Sequence, residues 1–243
     1  MKNWIIGQSY LMAAQATMLA QTKLTIIGED NLPDPAAGGL LIVSNHFSIF
    51  EIPYLYTELP YRPSFFATAE LLDSPIFAPG LKAHQDRLIF TNRGVVDRQS
   101  LKDGVNRLKS GDWLVIFPEG GITRLVVDTA ARGESTADLP FDFTRHEPVA
   151  LFAARPGSAW MAVQANVPVV PIAFEGTENI ERGLIKLGRT QVKMHIGKPL
   201  GPFEVPAGVR GAEKKKLIDQ YGHEMMQAIA DLLPEKYRGE HYG

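Results

Sequence analysis

His46 stands just beyond the apolar run 40–43 and five residues before Glu51, and this pair offers proton-transfer chemistry. An imidazole titrates near neutral pH, so a carboxylate holding one ring nitrogen leaves the other to take or give a proton. Ser48 predicts the N-cap of a helix starting at Ile49, which sets Glu51 in the first turn and within reach of the imidazole. The same residues fit a capping box, Ser48-x-x-Glu51, in which the carboxylate folds back onto the Ser48 amide. Helix cap and catalytic dyad are compatible readings, because a carboxylate held by a cap is also oriented toward a neighbouring histidine. His84, His146, His195, His223 and His241 have no carboxylate at a recognisable catalytic spacing and read as surface or packing residues. His223-Glu224 lacks the second histidine of a zinc H-E-x-x-H pair, and no cluster of His, Asp and Glu has metal-ligand spacing.

Composition narrows the chemistry further. The chain has no cysteine, which excludes a disulfide framework, a thiolate zinc site and a cysteine nucleophile. Its 25 basic residues are balanced by 27 acidic ones, so nucleic acid is not an expected partner and any anion-binding surface must be local. With 243 residues, 45% of them hydrophobic, it can bury the core of one sizeable α/β domain or two small ones.

The elements that must position His46 follow from hydrophobic patterning. Continuous apolar or β-branched runs at 23–27, 40–43, 64–68, 88–91, 113–117, 169–174 and 191–196 predict strands. Helical patterns lie between or after them, at 49–58, 98–109, 159–165 and 213–233. Several strands are apolar on both faces, so the expected fold is a single α/β domain with a central, largely parallel or mixed sheet covered by helices. In such sheets active groups gather beyond the carboxyl ends of strands, where His46 sits. On the last helix Leu217, Tyr221, Met225, Ile229 and Leu233 predict an apolar stripe, with Lys214, Lys215 and Lys216 near its start as a solvated face or a contact for anionic lipid headgroups.

Residues 3–22 carry no formal charge and lie between Lys2 and Lys23. Gln8, Ser9, Gln15, Thr17 and Gln21 interrupt the apolar residues, so 1–22 is expected to be an amphipathic interfacial or docking helix rather than a membrane span or signal peptide. It either packs on the body of the 23–243 domain or touches a membrane from one side.

The segment Asn45-His46-x4-Glu51 resembles the His-x4-Asp motif of the glycerolipid acyltransferase family, which includes the bacterial 1-acylglycerol-3-phosphate acyltransferases. Three further blocks match in order: residues 88–94 with Arg93, Ile116-Phe117-Pro118-Glu119-Gly120 followed by Arg124, and Val167-Pro168-Val169-Val170-Pro171. Two departures stand out. The acid is Glu51 where the family has aspartate, and Arg124 follows Glu119-Gly120 two residues later than in the family pattern.

The resemblance implies transfer of a fatty acyl group from acyl-CoA or acyl carrier protein to a hydroxyl of a glycerol-phosphate type acceptor, such as a lysophospholipid. It implies no cofactor beyond the acyl-donor substrate, no metal, and work at the cytoplasmic face of the membrane as a peripheral or monotopic protein. His46 would be the general base, oriented by Glu51 as the acid orients histidine in a serine triad. Because the attacking oxygen belongs to the acceptor, no G-x-S-x-G elbow is needed, and none is present. Arg93, Arg124 and Arg155 are the candidates for the acceptor phosphate, since a guanidinium fork donates two parallel hydrogen bonds. Glu119 and Gly120 complete the implied acceptor site, although a buried glutamate at a tight turn also serves as a cap for backbone donors. The prolines of the fourth block are expected to fix the entry and exit of its strand. The link 125–154 is expected to be a lid or acceptor-selecting segment. Transfer to a different lipid alcohol, a lipid-binding member without turnover, and a hydrolase are the other readings.

Overall fold

The computed structural model describes residues 9, 16, 18, 20–74, 78–91, 97–120, 150–180, 189–239, 241 and 242. The expected helix over 1–22 lies mostly outside the described residues, as do Arg93, Arg124, His146 and all of the link 125–154 except 150–154.

In chain order the elements are β1 (Thr22–Ile27), β2 (Leu40–Ser44), α1 (Glu51–Thr57), β3 (Ser64–Thr68), α2 (Ala78–Ala83), β4 (Leu88–Thr91) and α3 (Arg98–Lys109). There follow β5 (Trp113–Ile116), α4 (Gly157–Ala165), β6 (Val169–Glu175), β7 (Thr190–Ile196) and α5 (Gly211–Asp231). Among the described residues seven strands form one sheet in the order β1-β7-β6-β2-β5-β3-β4. Every neighbouring pair is parallel except β6 with β7. The sheet is therefore mixed and largely parallel, as the unbroken apolar runs require.

β2 lies fourth of the seven strands, and each of its residues is buried. Alternation along the strand sends Leu41 and Val43 to one face and Leu40 and Ile42 to the other. On the first face they join Leu108 of α3, Met161 of α4 and Met225, Met226 and Ile229 of α5. On the second face they join Tyr54 and Leu55 of α1, with Trp113 from β5, Met194 from β7 and Met18 from the N-terminal segment. Each such side chain, once fully buried, contributes about 1.5–3 kcal/mol from removal of apolar area.

Local chemistry sets the element boundaries. The Asp97 carboxylate accepts the Ser100 amide at 2.8 Å and starts α3 at Arg98, and this bond holds the Asp97 carboxyl below its usual titration range. α1 begins at Glu51 rather than at Ile49, after a turn through Ile49 and Phe50. Pro53 falls in its first turn, where the missing N–H costs no helix bond, and Pro60 keeps the chain from continuing the helix. Pro168 precedes β6 as expected, but Pro171 lies inside the strand rather than at its exit. Its carbonyl accepts the Gly197 amide at 2.8 Å, just past the end of the β6–β7 ladder, so the proline sacrifices at most one rung there. On α5 the buried stripe runs through Ile218, Gly222, Met225, Met226, Ile229 and Ala230, and Leu217 and Tyr221 are only half-buried. A strict spacing of four drifts around a helix of 3.6 residues per turn, and steps of three and four alternate to stay on one face. Among the described residues no helix is long and apolar enough to cross a membrane.

At the amino ends of β3, β4 and β5, Asp112 ties the sheet together. Its two oxygens accept from Arg87 Nη1 at 2.9 Å, Tyr61 Oη at 3.0 Å, Ser64 Oγ at 2.6 Å and Arg107 Nη1 at 3.5 Å. Removing the carboxylate strands two partly buried guanidinium groups. Asp112→Ala is expected to lower stability by about 1–3 kcal/mol in urea denaturation, with the transition still cooperative.

Candidate functional site

Three adjacent strands, β5, β2 and β6, deliver their carboxyl ends to one place. β2 stops at Ser44, and Asn45 replaces the next rung of the ladder with its side chain. Its Nδ2 donates to the Phe174 carbonyl at 3.0 Å, and its Oδ1 accepts the Phe174 amide at 2.8 Å. The side-chain amide thus satisfies β6 while the main chain leaves the sheet, and His46 is the first residue past that clamp.

The imidazole of His46 is held on two sides. Its ring stacks on Phe117, centroids 3.9 Å apart and planes 13° from parallel. Its Nδ1 lies 3.0 Å from Glu51 Oε2. With Glu51 as carboxylate, Nδ1 carries the proton and donates it, so Nε2 keeps its lone pair and is the ring nitrogen able to accept a proton.

Glu51 is wholly buried, and burying a carboxylate is costly unless donors surround it. The Ser48 amide donates to both oxygens, at 3.0 and 3.1 Å, and the Thr177 hydroxyl donates to Oε1. The capping contact and the histidine contact therefore coexist, although Ser48 is not the N-cap of α1, whose helix starts two residues later than expected. That later start carries Glu51 into the helix at its first residue. From there the side chain, one methylene longer than aspartate, reaches the ring.

Thr177 comes from the end of β6. Gly176 before it adopts φ +94°, and a Cβ there would stand 2.2 Å from the Gln191 carbonyl, so only glycine lets the chain turn this tightly against β7. The motif comparison did not reach Thr177. A usable signal was present, a Gly-Thr pair directly after a buried strand neighbouring the one that ends at His46.

β5 ends at Ile116, and Phe117-Pro118-Glu119-Gly120 form a turn closed by the Gly120 amide on the Phe117 carbonyl at 3.0 Å. Gly120 has φ +86°, and a Cβ on it would lie 2.4 Å from Arg155 Nε. The guanidinium of Arg155 thus lies across the glycine, and the Arg155 amide bonds the Pro118 carbonyl at 2.8 Å. Glu119 is buried, with Oε2 accepting the Phe152 amide at 2.7 Å, which is the capping role open to it from sequence. Glu119, Gly120 and Arg155 are therefore brought together, next to His46 through the Phe117 stack. Arg93 and Arg124 lie outside the described residues.

The remaining described histidines do other work. His84 Nδ1 meets Tyr56 Oη at 3.0 Å, His223 stacks on Tyr242, and His241 meets Phe152 edge-on. His195 stands 3.8 Å from Glu175 across the β6–β7 ladder, but Lys193 holds the same oxygen at 3.1 Å. Burial lowers the His195 pKa, which favours the neutral ring. Among the described residues no three His, Cys, Asp or Glu side chains are grouped to hold a metal ion.

The sequence matches the family model described as Acyltransferase over residues 23–175. Among solved structures, the fold is similar to that of the 1-acyl-sn-glycerophosphate (LPA) acyltransferase PlsC from Thermotoga maritima, with a TM-score of 0.56 and 21% identity. The alignment covers 93% of this chain and 79% of that one. No curated protein matches the sequence at a significant level.

Thr177→Val keeps the volume of the side chain and removes its hydroxyl, leaving the buried Glu51 carboxylate one donor short. It is expected to cost about 1.5–3 kcal/mol in chemical denaturation, and Thr177→Ser to recover most of that loss.

Proposed function

Because the chain belongs to the acyltransferase family, we propose that it moves a fatty acyl group from acyl-CoA or acyl carrier protein to the hydroxyl of a glycerol-phosphate type acceptor, with 1-acylglycerol-3-phosphate as the leading candidate and phosphatidic acid as product. The observation that carries this reading is the His46–Glu51 pair at 3.0 Å, beyond the carboxyl end of a central strand and beside the turn that seats Arg155.

His46 Nε2 takes the acceptor proton as the oxygen attacks the thioester carbon. The new carbon–oxygen bond forms, the carbon–sulfur bond breaks, and the proton passes from the imidazolium to the leaving thiolate. Glu51 holds the ring through Nδ1 and stabilises its positive charge during the transfer. The Phe117 stack limits ring rotation, so the base is oriented before the acceptor arrives. No residue of the protein is acylated in this scheme.

Arg155, with Arg93 and Arg124, supplies the charge for the acceptor phosphate, and Glu119 and Gly120 shape the turn beneath it. The acceptor and the product are lipids, so the reaction belongs at a membrane surface, and the uncharged stretch 3–22 is the segment suited to contact the cytoplasmic face. The two extra residues between Glu119-Gly120 and Arg124 favour a second reading, a lysophospholipid or other lipid alcohol as acceptor.

A panel of acceptors incubated with labelled acyl donor, followed by product identification, separates these readings. His46→Ala is expected to fold and to lose about 10²–10⁴-fold in turnover, and Glu51→Gln to lose less. Full activity in His46→Ala would sink the mechanism, and lipid binding without turnover on any acceptor would point to a member that binds but does not transfer.

A further inference from the structure

Beyond α5 the chain turns at Pro234 and runs back across the sheet end that holds the site. Glu235–Tyr237 forms a short 3-10 turn, and Tyr237 is buried. Its hydroxyl donates to Glu178 Oε1 at 2.6 Å, and Asn179 Nδ2 donates to the same oxygen at 2.8 Å. Burial and the Glu178 carboxylate push the phenol pKa far above its usual value, so the hydroxyl stays protonated and remains a donor. The backbone of Gly176 faces that hydroxyl as well. One side chain therefore pins Gly176 and Glu178, the two residues that bracket Thr177.

The same residue reaches the other walls of the site. Its ring packs on Phe47, the neighbour of His46, at 5.3 Å between centroids. Its carbonyl accepts the Leu151 amide at 2.7 Å, and the next amide, that of Phe152, caps Glu119. Tyr237 and Thr177 both fall beyond residues 23–175, the part matched to the family model.

We propose that Tyr237 is a positioning residue for acyl transfer, holding the Gly176–Glu178 turn so that Thr177 fixes Glu51, and through it His46, in the reactive orientation. This rests on the acyl-transfer reading above. Tyr237 touches neither the ring of His46 nor the carboxylate of Glu51 in the hydrogen-bond and ring contacts described, so its effect passes through Thr177 and the Phe47 loop.

The test combines kinetics with nitrogen-15 spectra of the His46 ring, assigned by their loss in His46→Ala. Tyr237→Phe is expected to lower kcat about tenfold with KM little changed, the scale of losing one hydrogen bond between folded groups. Thr177→Val is expected to act similarly, and the double variant to be no worse than the weaker single one, because both cut the same line of support. Tyr221→Phe, which also loses one hydroxyl bond, an exposed one to the Glu204 carbonyl, should keep wild-type kcat. In the spectra the wild-type ring should show a single Nδ1–H tautomer and Tyr237→Phe a mixture. Glu178→Ala removes the same bond from the turn and carries the same expectations where Tyr237→Phe does not fold. Wild-type kcat together with an unchanged His46 spectrum in Tyr237→Phe overturns the proposal, and so do additive losses in the double variant. If the wild-type protein transfers no acyl group to any acceptor, the functional reading fails separately, and the spectra alone decide whether Tyr237 orders His46.

Discussion

A carboxylate with no exposure to water governs the arrangement of this sheet end. Glu51 needs donors on both oxygens, and the fold supplies them from two separate pieces of chain: the loop after β2, through the Ser48 amide and the His46 imidazole, and the turn after β6, through Thr177. The Thr177 donor reaches Glu51 only because β2 and β6 are neighbours, a pairing that the Asn45 clamp on Phe174 extends past the last rung. The histidine is thereby oriented as a by-product of satisfying a buried charge. The same bonds satisfy the carboxylate and orient the ring, and the desolvated charge is what makes the geometry narrow.

The two ends of the sheet divide the labour. At the amino ends of β3, β4 and β5, the Asp112 cluster is a closed set of ion pairs and hydroxyl bonds with its partners all supplied internally. At the carboxyl ends the polar groups are graded in depth: Arg155 is exposed, His46 is buried at 8% exposure, and Glu51 and Glu119 have none. This is the asymmetry expected of parallel strands, whose carboxyl ends open into loops that can vary without disturbing the core.

Much of this was readable in the residues. The strands at 64–68 and 88–91 and the helix at 98–109 coincide with the observed elements, because each is bounded by strong local signals such as the Asp97 cap. The partnership of His46 with Glu51 was legible because it is local, five residues apart and read against a known motif. Arg155 was singled out as a phosphate candidate by the family resemblance, but its position across Gly120 is a finding of the structure. What could not be read was long-range or marginal. Thr177 lies 126 residues from Glu51, and no periodicity reports such a meeting. The six-residue α2 has too few turns to show an amphipathic pattern. The start of α1 slipped because two residues, Ile49 and Phe50, form a turn that sequence does not distinguish from the first turn of a helix.

Among the described residues β1 pairs with β7 alone, Thr22 beside Thr190 and Ile27 beside His195. The five strands from β6 to β4 form a continuous parallel block that lies wholly between those partners in the chain. During synthesis all five strands of this block emerge while β1 is still waiting for its neighbour. Edge closure by β7 is therefore the step that brings β1 into the sheet, and it comes after the strands leading to Asn45, Phe117 and Thr177 have all been made.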